Sequence, residues 1–291
     1  MPQTLLSLVT AELSAPADPR AAAMAGALAA RYPYAARAVL FYGSCLREQN
    51  LDGLMLDFYL IVSDYRAAYD KGWLRRANRL IPPNVFPFEH NGLIAKYAVL
   101  SEADFARLNS IAADNVSVWA RFAQPSRLLW AADDIARQRA ITAVANAAPT
   151  LLSLASPMSE AQDALALWKT GFTLTYNAEL RAEKKGRSLS IVDADPDRYR
   201  RFGEAALAQG LPSSPRDIMG HWRQLQRRGK WLSVVRLAKA SFTYAGGIDY
   251  LAWKINRHAG TAITIKPWQR RWPLLGALTL LPRLFRGGAI R

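Results

Sequence analysis

Three short stretches hold residue types suited to phosphate chemistry. Gly43-Ser44 closes an apolar run, Ala38–Tyr42; Asp57 lies inside a second run, Leu54–Val62; Lys96 lies inside a third, Leu93–Leu100. Glycine lets backbone N–H groups approach a phosphate closely, and the serine hydroxyl can add a hydrogen bond. A carboxylate inside an apolar strand is costly to desolvate unless it is paired or binds a metal. Beside a Gly-Ser turn, Asp57 suits holding Mg²⁺ on the phosphates of a nucleotide, the general layout of nucleotidyl transfer. Lys96 offers a cation to a triphosphate or phosphomonoester. Enzymes of this layout usually carry a second acid two residues on, and that position is Tyr59. The same residues fit, about equally well, a turn and a strand whose acid pairs with an arginine.

The elements around these residues can be read from periodicity. Strand alternation puts Asp57, Tyr59 and Ile61 on one face and Phe58 and Leu60 on the other. Residues 19–37 read as an Ala-rich helix ending near Pro33. Pro82, Pro83 and Pro87 mark residues 81–92 as a loop. From Glu102 the helical period dominates, over 102–112, 135–147 and 160–187, and again over 231–245 and 248–258. This predicts an α/β domain with a mixed sheet over residues 1–110, then a mostly helical domain over 111–245, then a basic amphipathic region over 246–291. His90, His221 and His258 are the only histidines, and none shows metal-ligand spacing.

Charge is unevenly spread. Of a net +15, nearly all lies in residues 216–291, with 15 Lys/Arg against two acids, Asp217 and Asp249. Such a block meets nucleic acid, a membrane surface or a phosphorylated substrate. The single cysteine, Cys45, excludes an internal disulfide. No apolar run approaches the ~20 residues needed to cross a bilayer, and Met1–Thr10 lacks the basic start of a secretory signal. The expected setting is cytoplasmic.

FYGSCLREQNLDGLMLDFYLIVSDY resembles the mitochondrial-type phosphatidate cytidylyltransferases, the CDP-diacylglycerol synthases, whose pattern is Tyr-Gly-Ser followed by Asp-Phe in an apolar strand. IAKYAVLS, VWARFAQPSRLLW, LTYNAELRAEKKGRSLSIV and RLAKASFTYAGGIDYLAWKINRHAG resemble later segments of that family, in the same order. The likeness covers roughly residues 38–260. It departs at Cys45, Ala98 and Ala178-Glu179, where the family has glycine or Gly-Asp. A bacterial member would suit the short loops near residues 70–90.

The resemblance implies a nucleotidyltransferase domain joined to a winged-helix-like one. It implies that CTP and phosphatidate yield CDP-diacylglycerol and pyrophosphate with Mg²⁺. It places Tyr42, Gly43, Ser44, Tyr97 and Tyr176 at the nucleotide. Asp57, Lys96, Arg181 and Lys239 carry the reaction, and Asp57 with Asp52 holds the metal; Asp64 is another choice for the second acid. Trp268 and Trp272, an apolar centre over Leu274–Leu281 and flanking cations fit a C-terminal segment lying on anionic lipid. The partners expected are CTP and phosphatidate in an anionic membrane, with the protein peripheral on the cytoplasmic face and no stable nucleic-acid partner. Two other readings stand beside this one. One is a nucleotidyltransferase acting on RNA, protein or a small molecule. The other is a non-catalytic relative that binds nucleic acid or membrane.

Overall fold

The computed structural model describes residues 3–48, 50–178, 191–243 and 264–271. Two helices come first, α1 (Leu5–Ser14) and α2 (Pro19–Ala30). Asp18 caps α2 by accepting the Arg20 N–H, with Pro19 in the first turn, a favoured start. Ala21, Met24, Ala25 and Leu28 are buried, the i, i+3, i+4, i+7 spacing of one helical face. The helix ends at Ala30, earlier than the sequence indicated, and β1 (Ala36–Tyr42) begins six residues on.

β2 (Met55–Val62) pairs antiparallel with β1. Two helices follow, α3 (Tyr65–Ala68) and α4 (Gly72–Leu80), then β3 (Asn84–His90) and β4 (Leu93–Ser101). Residues 81–92 are therefore not a loop throughout. β3 is an edge strand paired only with β4, so its Pro87 interrupts no ladder on the open side. Next come α5 (Glu102–Leu108), α6 (Trp119–Phe122) and β5 (Ser126–Ala131). β5 pairs antiparallel with β1, so the sheet extends past the expected boundary at residue 110. The five strands run β3-β4-β2-β1-β5, with β2 and β4 parallel: a mixed sheet.

The described residues after Ala131 hold helices and no strand: α7 (Asp134–Ala145), α8 (Ala147–Ala155), α9 (Ala164–Ala178), α10 (Pro196–Ala208), the 26-residue α11 (Ile218–Thr243) and the short α12 (Pro267–Arg271). No described helix is long and apolar enough to cross a membrane.

The sheet has two unlike faces. Val39, Phe41, Phe58, Leu60, Ala95, Tyr97 and Val99 pack on α2. Leu40, Tyr59, Ile61, Ala98 and Leu100 pack on the other side, into a core that also takes residues from α1 and α5–α11. One apolar cluster thus runs from Leu5 to Leu225, joining the sheet to the helical layer without a break.

Candidate functional site

Strand register brings the sequence candidates into one row. Ser126 of β5 lies opposite Tyr42, Tyr42 opposite Asp57, Asp57 opposite Lys96, and Lys96 opposite Pro87 of β3. Directly opposed residues share a face. Asp57 alternates with Tyr59 and Ile61, so the row lies on the helical side, at the end where β2 begins.

Lys96 Nζ lies 2.9 Å from Asp57 Oδ1, with the two side chains 30% and 21% exposed. The acid's partner is a lysine on the neighbouring parallel strand, not an arginine. Gly43 has φ +95°, a conformation that other residues rarely adopt. A Cβ there would stand 3.2 Å from Asp57 Oδ2, so the glycine allows the chain to turn tightly against the carboxylate. Ser44 is exposed and opens a 3₁₀ turn, Ser44–Arg47. Cys45 behind it is buried, its thiol donating to the Met55 carbonyl at 3.5 Å; burial, and then Asp57, push the thiol pKa up.

Tyr42 packs on Tyr59 and Phe122, with ring centroids at 5.2 and 6.0 Å. Its hydroxyl pKa is pushed up by burial, then by Asp57 and Tyr59, while the Arg121 guanidinium pulls it the other way. Arg121, in α6, escaped the sequence reading although it stands in VWARF. It also donates to the Ser117 carbonyl. The Ser117 hydroxyl accepts from Arg236 of α11 at 3.0 Å, and Arg236 donates to the Pro82 carbonyl at 2.9 and 2.6 Å. Two arginines thus form a hydrogen-bonded series from Tyr42 to α11.

Asp57 suits a hard divalent cation. Magnesium prefers oxygen ligands and is commonly bound by one or two carboxylates with phosphates and water completing its shell. Oδ2 faces the exposed Gly43-Ser44 turn, where such a shell would sit. Asp52 does not join it. That residue is exposed and salt-bridged to Arg20 at 2.7 Å, at the start of the helix on the other sheet face. Asp64 caps α3 beyond the far end of β2, accepting from Arg66 and Ala67. Tyr59, where a second acid would stand, is buried among aromatic rings. Among the described residues no three His, Cys, Asp or Glu side chains gather as a metal cluster.

Other candidates fall elsewhere. Tyr97 follows Lys96 and therefore points to the opposite face; its hydroxyl and that of Tyr32 lie 2.9 Å apart, and its ring packs among Phe86 and Phe88. It is a core residue of the α2 side. Lys239 donates to the carbonyls of Ile81 and Pro83, the latter at 2.8 Å. Those carbonyls precede β3, and Asn84 is already three strand positions, about 10 Å, from the Pro87 row. The structure thus places Lys239 in a latch between α11 and the start of β3, away from the Asp57–Lys96 pair. Tyr176 is half-buried in α9 against the helical core. Arg181, Trp272 and most of residues 246–291 lie outside the described residues.

No family model and no curated protein matches the chain. Among solved structures, one described as a nucleotidyltransferase-like protein from Exiguobacterium sibiricum 255-15 is similar over 94% of this chain and 92% of that one, at 14% identity and a TM-score of 0.29.

Proposed function

We propose that this chain is a nucleotidyltransferase that joins CTP and phosphatidate into CDP-diacylglycerol and pyrophosphate. One observation carries the transfer reading: the Gly43-Ser44 turn, at φ +95°, lies against a strand carboxylate that faces a lysine across the ladder. The order of the family-like segments supports the choice of substrates.

An oxygen of the phosphatidate phosphate attacks the α-phosphorus of CTP in line. A P–O bond forms there, the bond to the β-phosphate bridging oxygen breaks, and pyrophosphate leaves with that electron pair. The nucleophile is already an anion, so positioning and charge neutralisation dominate. Backbone N–H groups of the turn and the Ser44 hydroxyl hold phosphate oxygens. Lys96 transfers its charge from Asp57 to the triphosphate. Asp57 would hold Mg²⁺, whose chemistry is to offset charge on the phosphate oxygens. Arg121 and Arg236 fix the turn through Tyr42 and tie it to α11. Arg181 remains part of this reading as a further cation. Lys239 enters it as a positioning group.

The test is formation of CDP-diacylglycerol from labelled CTP, Mg²⁺ and phosphatidate vesicles. Wild type should give product, and Asp57→Ala should lower the rate by about 10²–10³-fold, the scale of losing one preorganised electrostatic group. Absence of product from wild type, or equal product from the variant, overturns the reading. The lysine on Asp57 and the tyrosine at the second acid position favour one other reading, a site that binds a nucleotide without transferring it. CTP binding with no product from phosphatidate or any other acceptor would select that reading.

A further inference from the structure

α4 has an inner side seated on the sheet domain and an outer side that is partly apolar. Leu74 and the buried Asn78 face inward, and the Asn78 amide donates to the Val99 carbonyl at 2.9 Å. Trp73, Ala77 and Leu80 form a second stripe at i, i+4 and i+7, facing outward. Trp73 is 47% exposed and Leu80 77%, across about 10 Å of helix. Arg76 and Arg79 flank the stripe on the exposed surface, with Arg75 beside them and Lys71 just before the helix. Among the described residues none of these four cations takes part in an ion pair. Residues 65–80 hold five Lys/Arg and one acid, Asp70.

A helix held on its inner side by Leu74 and Asn78 gains no internal packing from a tryptophan and a leucine pointing outward. A tryptophan and an aliphatic side chain between guanidinium groups suit the boundary of an anionic bilayer: the apolar groups enter the headgroup region while the cations stay among lipid phosphates. Single-stranded nucleic acid would use the cations and the indole, but its bases stack on flat rings and would leave Leu80 without a role. We propose that the outward stripe of α4 is a membrane-contact element that seats this protein on anionic lipid, independently of residues 266–291 and of the transfer reaction.

The test uses the full chain and phosphatidylcholine vesicles with and without phosphatidylserine. Wild type should co-sediment only with the anionic vesicles. Trp73→Ser/Leu80→Ser should lose most of that binding. Replacing Arg75, Arg76 and Arg79 by Gln should weaken it roughly fivefold per arginine. An environment-sensitive dye on Leu80→Cys, with Cys45 buried, should shift to the blue on anionic vesicles. Unchanged sedimentation of both variants, no dye shift in vesicle-bound protein, or no binding by wild type would each overturn the proposal. So would variants that lose binding to a single-stranded oligonucleotide and keep binding to vesicles. Because no step reads turnover, failure here is distinguishable from failure of the transferase reading.

Discussion

Two ion pairs in this molecule show opposite construction. Arg198 of α10 meets Glu12 of α1 through two contacts, Nε to Oε2 at 2.5 Å and Nη2 to Oε1 at 2.9 Å. The same guanidinium donates to the Ala123 carbonyl at 3.2 Å and lies over the rings of Tyr199 and Phe202. It is 6% exposed. Among the described residues Lys96 meets Asp57 at 2.9 Å, and both side chains keep solvent access. The first pair is saturated, and its geometry fixes how α1 and α10 pack. The second is half-open, and a phosphate can compete for the lysine. An acid in an apolar strand whose lysine partner keeps solvent access is suited to a ligand, whereas a bidentate pair inside a core is suited to architecture.

The largest expected effect separates the two directly. Under the proposed function, Asp57→Ala should abolish nearly all CDP-diacylglycerol formation, about 10³-fold at most, while moving the urea midpoint by the equivalent of about 1 kcal/mol or less. Glu12→Ala should do the reverse. It leaves Arg198 buried without its carboxylate and should cost about 3 kcal/mol of stability, with little change in turnover of the folded protein. Equal stability losses from the two variants would erase the distinction.

Gly43→Ala comes next. The backbone there is at φ +95°, and the new methyl would press on Asp57 Oδ2. About 2 kcal/mol of strain is expected, with a drop in activity as the carboxylate is displaced. This part of the site was legible in the sequence: an apolar run ending in Gly-Ser, and an acid and a lysine each inside a later run, mark the turn and the two strands, while the parallel pairing that sets Asp57 opposite Lys96 appears only in the fold. Other parts were not. β3 was hidden by Pro82 and Pro83 just before it and by Pro87 within it, which only an edge position makes tolerable. β5 is six residues long with no clean alternation, and its pairing with β1 is a tertiary fact. Arg121 and Arg236 lie on helices remote in sequence, where one arginine looks like any other until the chain folds.

Lys239 sharpens the comparison from a third direction, as an amine held by carbonyls instead of a carboxylate. Burial, and then Arg236, lower its pKa to about 7. A lysine depressed in the folded state stays charged in the unfolded chain up to about pH 10.4, so between those values the unfolded state binds the extra proton. Stability should therefore rise with pH from about 7 upward, by at most about 1.4 kcal/mol per pH unit from this group. Lys239→Met should flatten that rise in urea titrations at pH 6.5 to 9.5. A variant whose pH dependence matches wild type would show that the latch carries no proton linkage.

The smallest effect tests the two faces of the sheet. Tyr97 and Lys96 are neighbours in sequence, yet alternation sends one to the α2 core and the other to Asp57. The Tyr97 hydroxyl has one evident use, the 2.9 Å contact with Tyr32, and burial pushes its pKa up. Tyr97→Phe keeps the ring packing and removes that hydrogen bond, for an expected cost of about 1 kcal/mol. Because the lost hydroxyl lies on the far side of the sheet from the carboxylate, the Michaelis constant for CTP should stay at its wild-type value, as should turnover. A raised Michaelis constant with unchanged stability would mean that the nucleotide reaches Tyr97, and the division of labour between the two faces would fail.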